Sequence, residues 1–242
     1  MTAPTLELHD ESELRQDLAQ RAESKFVFRR HDVPTLRAVL RRGATPIAYA
    51  GPVSVVRSLY FDDFQLGTCK ANLAGVGIRN KLRVRWYDAE LPDGDAWFEI
   101  KWRHNQATGK HRFRVPDGPA LKKLPLHEWP HALRRGAPER LLGVLEKMLQ
   151  PVVVVEYRRE HFALNDARFT LDYNLCFYPA LGQQRLRLRF GERLPGVALI
   201  ECKLPLNSDR NELRLLRPLG ARPERFSKYV TACLRLGYAP DS

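Results

Sequence analysis

The chain has 242 residues, enough for one domain with a sizeable core. Hydrophobic residues make up 44% of it and charged residues 28%, a balance that fits a globular protein and excludes a disordered one. Its 40 lysine and arginine residues outnumber 28 acidic residues and give a net charge of +12. Such an excess favours polyanionic partners such as nucleic acid, an anionic membrane surface or phosphate compounds, although a cationic surface kept for solubility is the alternative.

The cysteines and the N-terminal residues indicate the cellular compartment in which the protein is expected. Cys69, Cys176, Cys202 and Cys233 are widely spaced and form no CxxC pair, so they predict neither a zinc site nor a disulfide framework. The first residues are polar and acidic, unlike a signal peptide, and no apolar run is long enough to span a membrane. We therefore expect a cytoplasmic protein.

The elements follow from the period of the apolar residues. Period-2 alternation predicts nine β-strands, in chain order at 25–30, 53–62, 80–90, 96–103, 110–115, 152–164, 167–174, 184–190 and 196–204. Residues 92–95 and 165–166 are typical of hairpin turns. Helical patterns lie at 33–42, 138–149 and 223–236. We predict an N-terminal extension at 1–20, helical in character, and a single domain at 21–240.

The grouping of these strands predicts the fold class. Strands joined by tight turns favour an antiparallel sheet over a parallel one. A sheet of this many strands curls, closes or splits, and closure is the simplest way to remove its edges. We therefore predict an α+β, β-dominated fold consisting of a closed antiparallel β-barrel with flanking α-helices.

The stretch NKLRVRWYDAE at 80–90 shows charged alternation most clearly. Lys81, Arg83 and Arg85 share one face of an extended strand, opposite Leu82 and Val84. Basic residues alternate in the same way at 96–103, 110–115, 184–190 and 196–204. In a curled sheet the apolar faces either fill the interior or point outward beneath the helices and leave a charged lumen. The amphipathic helices need an apolar surface to cover, which favours the charged lumen.

Such a lumen indicates a bound polyanion, because empty it would be strongly self-repulsive. Arginine recognises phosphate oxygens bidentately and stays charged when partly buried. Glu99 and Glu201 interrupt the basic faces, and a carboxylate among phosphates is a natural ligand for Mg²⁺ or Mn²⁺. An ion pair with a neighbouring arginine is the other interpretation, and for Glu99 both stay open. Nucleic acid is not expected, since most aromatic residues alternate away from the basic ones.

A family resemblance rests on three runs in a fixed order. SLYFD at 58–62, KLRVRWYD at 81–88 and FEIKWR at 98–103 resemble the VTC domain, the catalytic module of the vacuolar transporter chaperone polyphosphate polymerase. That family belongs to the triphosphate tunnel metalloenzymes, whose fold is an antiparallel β-tunnel lined with charged residues. The resemblance extends over residues 22–238 and implies the same triphosphate tunnel here.

The resemblance also implies roles for individual residues. Catalytic contacts to the phosphates are implied for Lys25, Arg83, Arg85, Lys101, Arg159 and Arg168. Further substrate-binding contacts are implied for Arg114, Tyr157, Lys203, Ser227 and Lys228. Glu201 in LIECKLP matches the metal-binding glutamate, with Glu99 as the second candidate ligand for a divalent metal, Mn²⁺ or Mg²⁺.

The chain departs from the wider superfamily at its first tunnel strand. Where Glu-x-Glu-x-Lys is expected, it has Arg21, Glu23 and Lys25. One metal-binding carboxylate is therefore replaced, which argues against a two-metal triphosphatase or adenylate cyclase and favours the VTC branch. Arg225 also stands in place of a lysine in the C-terminal Lys-Phe-Ser-Lys element.

These observations predict a metal-dependent polyphosphate polymerase that moves the γ-phosphoryl group of ATP onto a polyphosphate chain inside a basic tunnel. The alternatives are a metal-dependent tripolyphosphatase or nucleoside triphosphatase, and a polyphosphate-binding module without catalysis. Expected partners are ATP and inorganic polyphosphate or triphosphate. The eukaryotic polymerases of the family that the chain resembles couple synthesis to transport of the product across a membrane. Since no membrane segment is predicted here, such coupling would require a membrane partner protein.

Overall fold

A computed structural model describes residues 9–10, 21–105, 107–115, 117–205 and 210–239. Its strands are β1 His9–Asp10, β2 Arg21–Phe28, β3 Thr45–Ile47, β4 Ser54–Asp62, β5 Ile78–Tyr87, β6 Ala96–His104, β7 Ala107–Val115, β8 Gln150–Leu164, β9 Ala167–Pro179, β10 Glu192–Leu194 and β11 Ala198–Pro205. Its α-helices are α1 Val33–Arg41, α2 Gly67–Leu73, α3 Gly118–Lys123, α4 Trp129–Arg135, α5 Leu142–Leu145 and α6 Lys228–Arg235. Short 3₁₀ helices lie at Leu126–Glu128, Glu139–Leu141 and Asn211–Leu219. The predicted N-terminal extension lies outside the described residues except for β1.

One antiparallel sheet organises the chain. Its strands run in the order β1-β7-β6-β5-β4-β8-β9-β11-β2, with β10 added to β9 and β3 to β8. This confirms the predicted β-dominated, antiparallel fold with flanking helices. The prediction that the barrel is closed is wrong, because no ladder within the described ranges joins β2 to β7 and the sheet stays an open half-barrel. Across this gap Lys101 Nζ on β6, one strand in from β7, lies 3.7 Å from Glu23 Oε2 on β2.

The predicted strand at 184–190 is also wrong. These residues follow an irregular path, in which Arg187 N donates to Gln183 Oε1 at 2.9 Å and Gln183 Nε2 donates to Arg187 O at 3.2 Å. Leu186 is buried in the core, whereas Arg185 and Arg189 are exposed. The alternation therefore reflects a surface segment packed on the helices, and its arginines do not line a lumen.

The outer face of the sheet is apolar and lies beneath the helices. Leu82 and Trp86 of β5 pack in one buried cluster with Trp129 of α4, while Leu36 of α1 packs with Ile200 of β11. The charged faces consequently point to the concave side, which confirms the charged-lumen arrangement. The helix predicted at 138–149 is shorter than expected, since a 3₁₀ turn at Glu139–Leu141 leads into an α-helix of only Leu142–Leu145. Among the described residues, no helix is both long and apolar enough to cross a membrane.

Helix α6 is held over the concave side by a buried carboxylate. Its N-cap is Ser227, whose side chain accepts a hydrogen bond from the backbone of Val230. Tyr229 donates from its hydroxyl to Asp62 Oδ2 at 2.6 Å. Asp62 also accepts from the backbone amide of Thr68 at the start of α2. One buried acid at the end of β4 thus ties α2 and α6 to the sheet.

Gly118, the first residue of α3, provides a test of how tightly this helix packs on the turn between β5 and β6. A Cβ at this position would overlap the carbonyl oxygen of Gly94 and lie 2.8 Å from that of Pro92. Neither backbone atom can move without displacing the turn, so Gly118→Ala is expected to lower the free energy of unfolding by about 1–3 kcal/mol. Urea titration followed by circular dichroism measures this change.

Gly143 in α5 is the matched control, since a Cβ there meets nothing within 4 Å. Gly143→Ala is expected to raise the free energy of unfolding by about 0.5–1 kcal/mol, because alanine restricts the unfolded chain. Equal effects of the two substitutions would contradict the packing described for Gly118.

Candidate functional site

A basic cavity occupies the concave side of the sheet. Together with its open mouth it encloses about 720 Å³. Six strands and α6 contribute nine cationic side chains to its wall: Lys25, Lys81, Arg83, Arg85, Lys101, Lys110, Arg159, Lys203 and Lys228. Tyr60, Tyr157, Glu201, Phe226 and Ser227 complete the described lining. Such a wall is suited to a ligand with several negative charges.

The structure brings most of the predicted site residues together here. Lining residues that the sequence analysis selected are Lys25, Arg83, Arg85, Lys101, Tyr157, Arg159, Glu201, Lys203, Ser227 and Lys228. The selection missed Tyr60, Lys81, Lys110 and Phe226. Strand period alone indicates Lys81 and Lys110, because they share faces with Arg83 and Arg112. Tyr60 and Phe226 are uncharged, so a search for charged strand faces does not select them.

Three predicted residues lie outside the cavity lining. Arg168 is exposed on β9, although its register with Lys203 places it on the cavity side of the sheet. Arg114 is exposed and pairs with Asp95 at 2.6 Å. Glu99 is buried with 1% of its surface exposed and lies beneath the lining. A shared strand face therefore does not ensure a shared cavity, since position along the strand also matters.

Glu99 is the buried counter-charge of the β5–β7 wall. It lies 2.8 Å from Arg83 Nε, 3.1 Å from Lys110 Nζ, 3.6 Å from Arg112 Nε and 3.7 Å from Arg85 Nη1. Burial alone would raise the pKa of Glu99, but these cations hold it well below its usual range. The structure thus shows the ion pairs that one interpretation of Glu99 predicted, with cations against both of its oxygens.

A second charge cluster links β8, β9, β11 and α6. Arg159 makes a bidentate pair with Asp172 at 2.6 Å for both contacts, and its Nη2 lies 3.1 Å from Glu201 Oε2. Lys228 Nζ lies 2.7 Å from Asp172 Oδ2 and 3.0 Å from Glu201 Oε1. Although burial opposes it, the charges of Lys228 and Arg159 hold the pKa of Glu201 well below its usual range. Asp172 was not predicted, because a single acid in ARFTLD carries no spacing signal.

Two tyrosines order the cations without adding charge. The Tyr60 hydroxyl accepts from Arg83 Nη1 at 2.8 Å, and the Tyr157 hydroxyl accepts from Arg85 Nη2 at 3.3 Å. Lys228 Nζ also lies 4.6 Å from the centroid of the Tyr157 ring, within cation–π distance. These contacts hold the guanidinium groups in place before any ligand arrives.

Burial among other cations lowers the pKa of four lining lysines, which are Lys81, Lys101, Lys110 and Lys203. Glu23 raises the pKa of Lys101, but burial and the charges of Lys25 and Arg83 outweigh it and bring that pKa to about 8. Burial lowers the pKa of Lys110 to about 8 despite the nearby Glu99. The side chains of Lys101 and Lys110 keep 39% and 36% of their surface exposed, so a ligand can reach both. An anion bound between them would raise both pKa values.

The fold and the site together define an open antiparallel β-tunnel with a cationic interior. The VTC domain family matches residues 20–236, and the chain belongs to this family. No curated protein matches the chain.

Solved structures resemble the chain at low sequence identity, and the first of the three below reaches the similarity of a shared fold. The Hippeastrum protein HpAC1, described as having a dominant triphosphatase activity, is 16% identical with a TM-score of 0.50, and the match covers 90% of this chain and 96% of that one. A Vibrio parahaemolyticus protein described as a candidate adenylate cyclase is 12% identical with a TM-score of 0.46, over 87% and 97% of the two chains. The inorganic triphosphatase NE1496 is 13% identical with a TM-score of 0.35, over 88% and 93%.

The lowered lysine pKa values predict proton uptake on anion binding. We expect a polyanion bound at pH 8.5 to reprotonate Lys101 and Lys110, and we expect Lys81, whose pKa burial holds well below its usual range, to add to the uptake. Tripolyphosphate should therefore bind with net uptake of protons at this pH, and its affinity should fall as the pH rises above 8. Calorimetry in two buffers of different ionisation enthalpy measures the uptake.

The control is the double variant Lys101→Arg, Lys110→Arg, whose guanidinium groups stay charged throughout this range. Its proton uptake should fall by the share of Lys101 and Lys110 while binding remains, leaving the share of Lys81 and Lys203. A wild-type binding enthalpy that does not depend on the buffer would contradict the lowered pKa values.

Proposed function

We propose that this protein is a polyphosphate polymerase that transfers the γ-phosphoryl group of ATP onto a polyphosphate chain inside the basic cavity. The nine cationic side chains in one cavity support this proposal most directly, because they match a chain of linked phosphates. Membership of the VTC domain family supports the same substrate class. This cavity would hold both the donor phosphates and the growing chain.

The arrangement suits phosphoryl transfer, which depends on positioning and electrostatics more than on a covalent nucleophile. Charge in the transition state spreads over the equatorial oxygens of the moving group. Arg83 and Arg85 are fixed beforehand by Glu99, Tyr60 and Tyr157, so they would stabilise that charge without reorganising. We propose Lys25, Lys101, Arg159, Lys203 and Lys228 as further contacts to the phosphates.

Arg168 and Arg114 would act only on a longer chain. Both are exposed and lie outside the cavity lining. Arg114 is also paired with Asp95. We therefore propose that they contact polyphosphate beyond the cavity rather than the reacting group. The N-cap hydroxyl of Ser227, which accepts from Lys81 Nζ at 2.9 Å, would fix that lysine beside the chain.

A divalent metal, Mn²⁺ or Mg²⁺, fits this site when it shares its ligands with the substrate. The described residues contain no group of three His, Cys, Asp or Glu that would hold a metal unaided. Glu201 is the carboxylate of the described lining, and such ions are commonly held by one or two carboxylates plus phosphate oxygens and water. Bound there, the metal would neutralise charge on the donor phosphates. We propose Glu201 as its ligand and Glu99 as the counter-charge of the arginines.

Hydrolysis of tripolyphosphate or a nucleoside triphosphate is the second candidate. The structural neighbour from Hippeastrum is described as having a dominant triphosphatase activity, and it shares this fold. The two reactions use the same phosphate contacts and differ in whether the acceptor is a phosphate chain or water. Glu23 retains one acidic position at the start of the tunnel, beside Lys25 at 3.0 Å.

We also propose a reducing, cytoplasmic setting. The four cysteines are all free thiols in the structure, as the sequence predicted. Any coupling of synthesis to transport across a membrane would then require a separate membrane protein as partner.

Product analysis tests the proposed reaction. Purified protein is incubated with ATP and Mn²⁺, the polyphosphate is resolved on a gel, and ADP and free phosphate are measured in the same sample. The proposal predicts long chains together with ADP. Free phosphate without chains would identify a hydrolase, and tight polyphosphate binding without turnover would identify a binding module; either result would contradict the polymerase.

Substitutions in the cavity should distinguish the loss of a specific contact from the loss of overall charge. Arg85→Ala removes a fixed phosphate contact, and Glu201→Ala removes the proposed metal ligand. We expect each to lower kcat/KM by about 100-fold or more. Arg187→Ala is the matched control, because it removes the same charge from an exposed position outside the cavity. A loss with Arg187→Ala as large as with Arg85→Ala would show that only overall charge matters.

A further inference from the structure

Asp172, Arg159, Glu201 and Lys228 form a closed ring of alternating charge, in which the two acids are not equivalent. Asp172 is fully buried, with 0% of its surface exposed, and is not part of the described cavity lining. Glu201 lines the cavity, and 14% of its side-chain surface is exposed. Only the second acid is therefore open to a ligand in the cavity.

The contacts to the buried acid are the shorter ones. Asp172 contacts Arg159 at 2.6 Å twice and Lys228 at 2.7 Å. Glu201 contacts the same two cations at 3.1 and 3.0 Å. Asp172 also makes the bidentate pair, the stronger and more directional arrangement. Both cations consequently keep a close anionic partner if Glu201 turns away from them.

We propose that Asp172 is a positioning residue that holds Arg159 and Lys228, so that Glu201 can exchange these cations for a divalent metal. The inference rests on the metal role of Glu201 given under the proposed function. A buried cation that loses its partner is strongly destabilised, so Glu201 alone could not leave both. With Asp172 present, each cation remains paired throughout the exchange.

The substitution Asp172→Asn removes this second anion while keeping the shape of the side chain. An amide has one acceptor oxygen, carries no charge, and turns an NH₂ donor toward a cation. Glu201 then becomes the counter-charge of both Arg159 and Lys228 and is drawn into the ring. We expect the gain in tripolyphosphate affinity that Mn²⁺ provides to fall about tenfold or more, the size of effect seen when partners of metal ligands are lost.

Calorimetric titration of tripolyphosphate in Mn²⁺ and in EDTA measures this gain. Glu160→Gln is the matched control. Glu160 is a buried acid with a bidentate arginine pair, to Arg37 at 2.7 and 2.6 Å, but it lies outside the described lining. It should lose comparable stability yet keep the Mn²⁺-dependent gain within twofold of wild type. Tripolyphosphate binding in EDTA should not weaken in Asp172→Asn, because the variant removes a negative charge.

A second variant distinguishes charge balance from damage to the fold. Asp172→Asn combined with Lys228→Met again leaves one acid and one cation in the ring, so the Mn²⁺-dependent gain in tripolyphosphate affinity should recover relative to Asp172→Asn alone. An unchanged gain in Asp172→Asn, or no recovery in the double variant, would overturn the role of Asp172. If Glu201→Gln keeps the gain of the wild type, the proposed metal role of Glu201 itself fails, and this inference fails with it.

Discussion

Nine lysine and arginine side chains share one cavity, and their mutual repulsion is the constraint to which the surrounding structure responds. Two buried acids lie behind this wall. Glu99 neutralises the cations of β5 and β7, and Asp172 neutralises those of β8 and α6. Both act from outside the lining, so the guanidinium and ammonium groups stay available to a ligand. The sheet tolerates a basic interior because its apolar face lies outward beneath the helices.

The same constraint explains why the site is ordered before a ligand binds. The ion pair between Glu23 on β2 and Lys101 on β6 spans the open side of the sheet. The arginines are held by acids and tyrosines before a ligand arrives, so little ordering is left to oppose binding. Burial and the neighbouring cations together lower the pKa values of Lys101 and Lys110 to about 8.

The sequence predicted the features that follow from the two-residue period of strands. It missed those that depend on how deeply a side chain is buried and on contacts between distant strands. Alternation in β5 gave the correct assignment of Arg83 and Arg85 to the concave side, because side chains of a strand alternate strictly. The same alternation misled at 184–190, where Leu186 packs on the helices and no ladder forms. Closure of the barrel could not be judged, since a ladder between distant edges leaves no local pattern. Asp172 was missed for a related reason: its partners lie on β8 and α6, far away in the chain.

A crystal structure of the protein grown with tripolyphosphate would test the central claim most directly, since the claim concerns where a phosphate chain lies. The account predicts three linked phosphates inside the cavity, within hydrogen-bond distance of Arg83, Arg85 and Lys101. Glu99 should remain paired behind the arginines. Tripolyphosphate bound on the outer surface, for example against the exposed arginines at 185–189, with the cavity unoccupied at saturating ligand, would contradict it.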